Sequence, residues 1–109
     1  MIEGLWIVQY HGPQGTGGGV FVFVKGQVLG GESGFTYSGS YDLTGELFKA
    51  KVEVKNFDPS IPNVIGVIGD FDLVLEGKVQ GDTINGTGAL ANEPDAKIVF
   101  RLSKRRALA

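Results

Sequence analysis

From Glu46 to Phe57 the chain reads ELFKAKVEVKNF, and its side chains change character with a period of two. Phe48, Ala50, Val52 and Val54 fall on one face, with Leu47, Lys49, Lys51, Glu53 and Lys55 on the other. Successive side chains point to opposite sides in an extended chain, so this stretch predicts a strand packed on one face and wet on the other. Similar stretches recur along the sequence: LWIVQYH (5–11), GVFVFVK (19–25), QVLGG (27–31), FTYSGSYD (35–42), DFDLVLEGKVQ (70–80), TINGTGAL (83–90) and AKIVFRLS (96–103). With the strand at 45–57 they make eight. Short links such as VKGQV, DLTGE and QGDT carry Gly and Asp, the residues of tight turns, and predict antiparallel neighbours in a meander.

Eight strands in a single domain of 109 residues would leave exposed edges as a flat sheet, and closing the sheet on itself removes them. The predicted fold is therefore all-β: an eight-stranded antiparallel up-and-down barrel. Its 18 glycines far exceed the usual ~7%, and Gly39, Gly77, Gly86 and Gly88 fall inside strands, where a barrel needs tight bends. The rhythm breaks at DPSIPNVIGVIG (58–69), because Pro59 and Pro62 do not suit a central strand while Val64, Ile65, Val67 and Ile68 need cover. This segment reads as a crossing loop, with a short helical turn after Ser60, that lids one end. In LWIVQYH and VFVFV both faces are apolar, so the pattern leaves open which side lines the barrel.

A net charge of −2 gives no field to draw in nucleic acid or an anionic membrane, and no run approaches the ~20 apolar residues of a membrane span. Lys104, Arg105 and Arg106 form a local basic cluster, read as a solvated end in a disordered segment 103–109. No cysteine means no disulfide framework and no thiol chemistry. The start MIEGLWIVQYHG lacks a signal peptide's basic head and long apolar run, which makes a cytoplasmic setting the expectation.

The glycine-rich stretch HGPQGTGGGVFVFVKG (11–26) suggests a phosphate cradle, but a P-loop requires G-x-x-x-x-G-K-[ST] opening a helix. Here there is no lysine, and a Val/Phe strand follows. The expectation is a flexible hairpin loop, with Gly18 and Gly19 reaching into the strand as a bulge. His11 is the sole histidine, and nothing in the pattern pairs it with Asp70, Asp72 or Glu76. Those acids read as the wet outer row of a strand whose Phe71, Leu73 and Leu75 face inward. No nucleophilic triad or metal-ligand spacing is present, so neither enzyme activity nor a cofactor is expected. Small barrels are either filled by side chains or hold one small ligand, and Trp6, Tyr10 and Leu75 are the residues that would line such a space.

Taken in order, GLWIVQYHG, GGGVFVFVKGQVLGGESGFTYSGSY, FDPSIPNVIG, FDLVLEGKV and INGTGAL resemble the GrlR-type proteins, negative regulators of type III secretion. The resemblance runs to about Leu102 and is carried most specifically by Gly19 to Val24, Gly30 to Gly31, Tyr37 to Ser40 and Ile61 to Val64. It implies a lipocalin-like barrel, found as a homodimer, that binds and restrains a transcriptional activator, with an apolar interior open to a lipid-like ligand. The family meets its activator through an acidic Glu-Asp-Glu-Asp turn. The corresponding turn here is LTGE, so Asp42 and Glu46 alone would carry the partner contact, and steering of a basic partner would be weak. Exposed Val74, in an otherwise charged row, is the residue expected to belong to an apolar dimer patch.

Overall fold

A computed structural model describes residues 2–67 and 69–108 and shows a closed barrel of eight antiparallel strands. They are β1 (Gly4–Gly12), β2 (Gly15–Val24), β3 (Gln27–Glu32), β4 (Phe35–Thr44), β5 (Leu47–Asn56), β6 (Phe71–Gln80), β7 (Thr83–Leu90) and β8 (Glu93–Ala107). Each pairs with the next, and β8 returns to pair with β1, so the predicted up-and-down barrel is the observed fold. It is consistent with a lipocalin-like architecture. Apart from the longer connection between β5 and β6, the links between successive strands are two residues long, and that between β2 and β3 shows why. Lys25 and Gly26 both take positive φ, 49° and 78°, which matches the twist of the flanking strands.

The alternation of β5 translates directly into burial. Phe48, Ala50, Val52 and Val54 are nearly inaccessible inside the barrel, while the lysines of the same strand stand outside. In β1 and β2, where the pattern was ambiguous, the aromatic set turns inward: Trp6 and Val8 on β1, Phe21 and Phe23 on β2. Phe23 meets Trp6, Phe21, Tyr41 and Phe48 edge-on, with ring centroids 5.0–5.9 Å apart. Rings of this size fill the interior volume in their favoured perpendicular geometry, which the smaller Val20 and Val22 would leave empty. The strand starts Gly4, Gln27 and Leu47 and the strand ends Val24, Thr44 and Gln80 share this aromatic-filled end.

Several expectations need correction. No helical turn follows Ser60; Asp58 instead accepts from the Ser60 amide and hydroxyl, and the Ile61 amide donates to the Asp58 carbonyl at 3.0 Å, which makes a hydrogen-bonded turn. Ile68 lies outside the described residues. The glycines are not a loose loop: β2 begins at Gly15, and Gly17, Gly18 and Gly19 pair in register with Tyr10, Gln9 and Val8. There is no bulge at Gly18 or Gly19; the register shifts fall at Leu5/Trp6 against β8 and at Ala89/Leu90. The basic end is strand through Ala107, because Ser103, Lys104, Arg106 and Ala107 complete the ladder to Ile7, Trp6, Leu5 and Gly4. Arg105 and Arg106 are exposed, but the Lys104 ammonium lies 6.0 Å from the centre of the Trp6 ring.

Candidate functional site

The end of the barrel opposite the aromatic cluster is covered by the segment between β5 and β6. Asn63 organises this lid from within. Its Oδ1 accepts from the amides of Ile65, Gly66 and Val67, and its Nδ2 donates to the Val67 carbonyl. The lid is pinned to the β1–β2 turn by the Gln14 amide, which donates to the Val64 carbonyl at 2.8 Å. At its start, the Phe57 amide and the Asn56 side chain both donate to the Gly34 carbonyl.

Beneath the lid lies an apolar cavity of about 50 Å³. At ~10–15 Å³ for one water, that is room for about three to five waters, so the interior is mostly filled by side chains. Val64 and Ile65 roof it, Val52, Val54, Leu73 and Leu75 form one wall, and Phe21, Phe35, Phe71 and Phe100 supply rings. One charged residue, Glu32, is on its wall among the described residues.

Glu32 is the last residue of β3 and follows Val28 and Gly30 on the inward phase. Its Oε2 accepts from two phenols: the Tyr10 hydroxyl, and the Tyr37 hydroxyl at 2.5 Å. Burial, reinforced by the hydrogen bond to Glu32 and its charge, holds both phenols well above the ordinary tyrosine value. The inward glycines of β2 make room for this trio. A Cβ on Gly17 would sit 2.6 Å from the Tyr10 hydroxyl, and one on Gly19 would come within 3.1 Å of the Glu32 Cβ and 3.2 Å of the Tyr37 hydroxyl. β2 also runs past its ladder with β3, which ends at Val20↔Gly31, so Gly15–Gly19 border a notch at this mouth.

Of the residues singled out from the sequence, Tyr10 and Leu75 are on the cavity wall. Trp6 is not: it is fully buried at the other end, its indole Nε1–H donating to the Ile2 carbonyl at 2.7 Å. Asp42 and Glu46 are also at that far end, in and beside the β4–β5 turn, with Asp42 opposite Lys49 in the ladder. His11 is exposed at the lid end of β1, and its side chain makes no hydrogen bond or ion pair among the described residues. Sequence reasoning placed Val64 and Ile65 in a lid but missed Glu32 and its meeting with Tyr10 and Tyr37. The available signal was the phase of β3, since counting by twos from buried Val28 places an acid inside the barrel.

The outer face holds a second feature. Leu5 and Val22 pair across β1 and β2, Ile7 pairs with Val20, and Val22 pairs with Leu29 of β3. Leu5, Val20 and Leu29 are each at least 40% exposed, so these residues form an apolar strip in water. Val74 is exposed as well, but it lies between Asp72 and Glu76 and opposite Lys51, within charged surroundings rather than in this strip. No family model matches the chain, and no curated protein is similar to it at a significant level.

Proposed function

We propose that this protein is a non-enzymatic, cytoplasmic binding and regulatory protein of the GrlR type, acting through protein–protein contact as a homodimer and restraining a transcriptional activator. The observation that carries the reading is the apolar strip on the outside of β1–β3. A barrel gains nothing for its own core from Leu5, Val20 and Leu29 in water, and exposed apolar patches mark interaction surfaces. A second copy of the chain is the occupant that suits it. Unlike β5, β6 and β8, the outward rows of β1, β2 and β3 carry no Lys, Arg, Asp or Glu between Leu5 and Leu29 of the strip, so its middle brings no like charges together, and Arg106 of β8 borders it beside Leu5. Leu29→Glu would bury a charge in that contact. Sedimentation velocity at micromolar concentration is expected to give a dimer for the unmodified protein and a monomer of unchanged thermal midpoint for Leu29→Glu. An unmodified protein that sediments as a monomer overturns the reading of the strip, and a pull-down that retains no transcription factor counts against the regulatory role.

A second reading is a barrel that holds a small ligand, and it is favoured by the apolar cavity under the lid. Its size excludes a long-chain lipid while the lid stays closed, so the ligand would be short or the lid would open.

A further inference from the structure

Three groups at the lid end of the barrel converge although they are far apart in sequence. Tyr10 comes from β1, Glu32 from the end of β3 and Tyr37 from β4, and two glycines of β2 are needed for them to meet. Both phenols spend their protons on one oxygen of Glu32. A carboxylate that accepts two phenolic hydrogen bonds is an acceptor with its remaining lone pairs to offer, on Oε1 above all. Oε1 accepts from no group among the described residues, and no buried polar side-chain atom there lacks a partner, so Oε1 is reached from solvent. Glu32 also has no ion pair: the salt bridge among the described residues joins Lys55 to Glu53.

The surroundings add a second selective element. The Tyr37 ring meets Phe21 edge-on at 5.3 Å, and Phe35 is opposite Glu32 in the β3–β4 ladder. With Tyr10 and Phe71 they give the mouth several aromatic rings around a single uncompensated negative charge. Ring faces carry negative potential, and a carboxylate among rings is the arrangement that attracts an organic cation with a short apolar body. It repels an organic anion, because a second carboxylate would meet the charge of Glu32 with no basic residue to offset it.

We infer that the mouth of the barrel is a binding site for a small primary ammonium compound. Its charged head donates to Glu32 Oε1 among the rings of Tyr10, Tyr37, Phe21 and Phe35, and its short alkyl body enters the cavity under Val64 and Ile65. This rests on the reading of the barrel as a small-ligand holder and selects the class of ligand. It excludes the fatty acid that an apolar barrel interior would otherwise suggest. The Tyr10 and Tyr37 hydroxyls act as positioning groups: they hold the carboxylate in one orientation while staying neutral themselves.

The test titrates the full chain with three probes of matched length, n-butylammonium, n-butanol and n-butyrate, and follows the amide proton–nitrogen correlation spectrum. The expected result is saturable shifts at Gly17, Gly19, Glu32 and Val64 to Gly66 with n-butylammonium, weaker shifts with n-butanol and none with n-butyrate. Glu32→Gln keeps an acceptor for the phenols but loses the charge, and is expected to weaken n-butylammonium binding about tenfold or more. Glu76→Gln on the outer row of β6 is expected to leave it unchanged. Equal binding of n-butanol and n-butylammonium, or a Glu32→Gln variant that binds the ammonium as before, overturns the inference while leaving a ligand-holding barrel standing. Failure of all three probes to move these amides overturns both. If Glu32→Gln does not fold, the ranking of the three probes on the unmodified protein decides.

Discussion

Tyr10 and Tyr37 keep their protons under conditions in which a free tyrosine has lost its own, and the cause is local. Each phenol is withdrawn from water and points at a carboxylate, so the tyrosinate would be both poorly solvated and repelled. The sign of the linkage follows from the neutral form being the one the fold prefers. In the unfolded chain both groups titrate near pH ~10. In the folded protein they titrate higher, so their contribution to stability is fully present below about pH 10 and is lost as pH rises from there toward the folded values. Tyrosinate absorbance checks this. Tyr37→Phe is expected to leave the signal of the folded protein at about pH 11 unchanged and to lower that of the denatured protein by one tyrosine. A folded-state signal that falls with the variant would show that Tyr37 titrates normally. No local pattern around GGESGF announces this trio, because its three members gain meaning from meeting across the mouth.

Among the elements, the β5–β6 lid shows how a segment without regular structure is held. Loop backbone must find partners, and here one side chain supplies most of them: Asn63 takes three amides on Oδ1 and one carbonyl on Nδ2. Asn63→Ala leaves those groups to water and is expected to cost about 2 kcal/mol. Hydrogen exchange is expected to accelerate at Ile65, Gly66 and Val67 while β5 and β6 stay protected, since the barrel ladders do not depend on the lid. Exchange that accelerates equally in the strands would show that lid and barrel open as one unit. The sequence implied a lid from Pro59, Pro62 and the apolar run after them. It suggested a helical turn after Ser60, and the turn is instead closed by the Asp58 carboxylate, whose proton affinity is lowered by the Ser60 hydroxyl and then by the Ser60 amide. A side-chain acceptor placed two residues earlier satisfies the same amide a helix would, without the following turns.

For the molecule as a whole, the decisive contact is the one between its first and last strands. Closure pairs β1 with β8 along its length, and the basic end of the chain supplies the partners of Gly4, Leu5, Trp6 and Ile7. Ending the chain after Leu102 removes those partners and uncovers Trp6, which at present is fully enclosed with Lys104 over its ring. The expected loss is about 3 kcal/mol or more, comparable with deleting a large buried aromatic, and Trp6 emission is expected to shift to the red as water reaches the indole. A truncated chain with unchanged emission and thermal midpoint would show that this last turn of ladder contributes nothing. The basic and small residues from Ser103 to Ala107 look like a solvated tail in the sequence because their charge is local information; their role in closing the barrel depends on a strand nearly the whole chain away.

What the sequence determined by itself is therefore the repertoire of elements: eight strands, their approximate limits, the tight turns between most of them, the capping loop, and a closed sheet as the way to avoid bare edges. These follow from a period of two and from turn residues, both readable over a few neighbours. The tertiary structure decided which of two apolar faces of β1 and β2 went inside, because that choice rests on whether Phe21, Phe23 and Trp6 or the aliphatics better fill the enclosed volume. It also decided the role of the glycines in GTGGGV. Sequence reads them as slack, but in the barrel Gly17 and Gly19 are the missing side chains that let Tyr10 and Tyr37 reach Glu32, and a contact between residues 22 positions apart exists only once the sheet has closed.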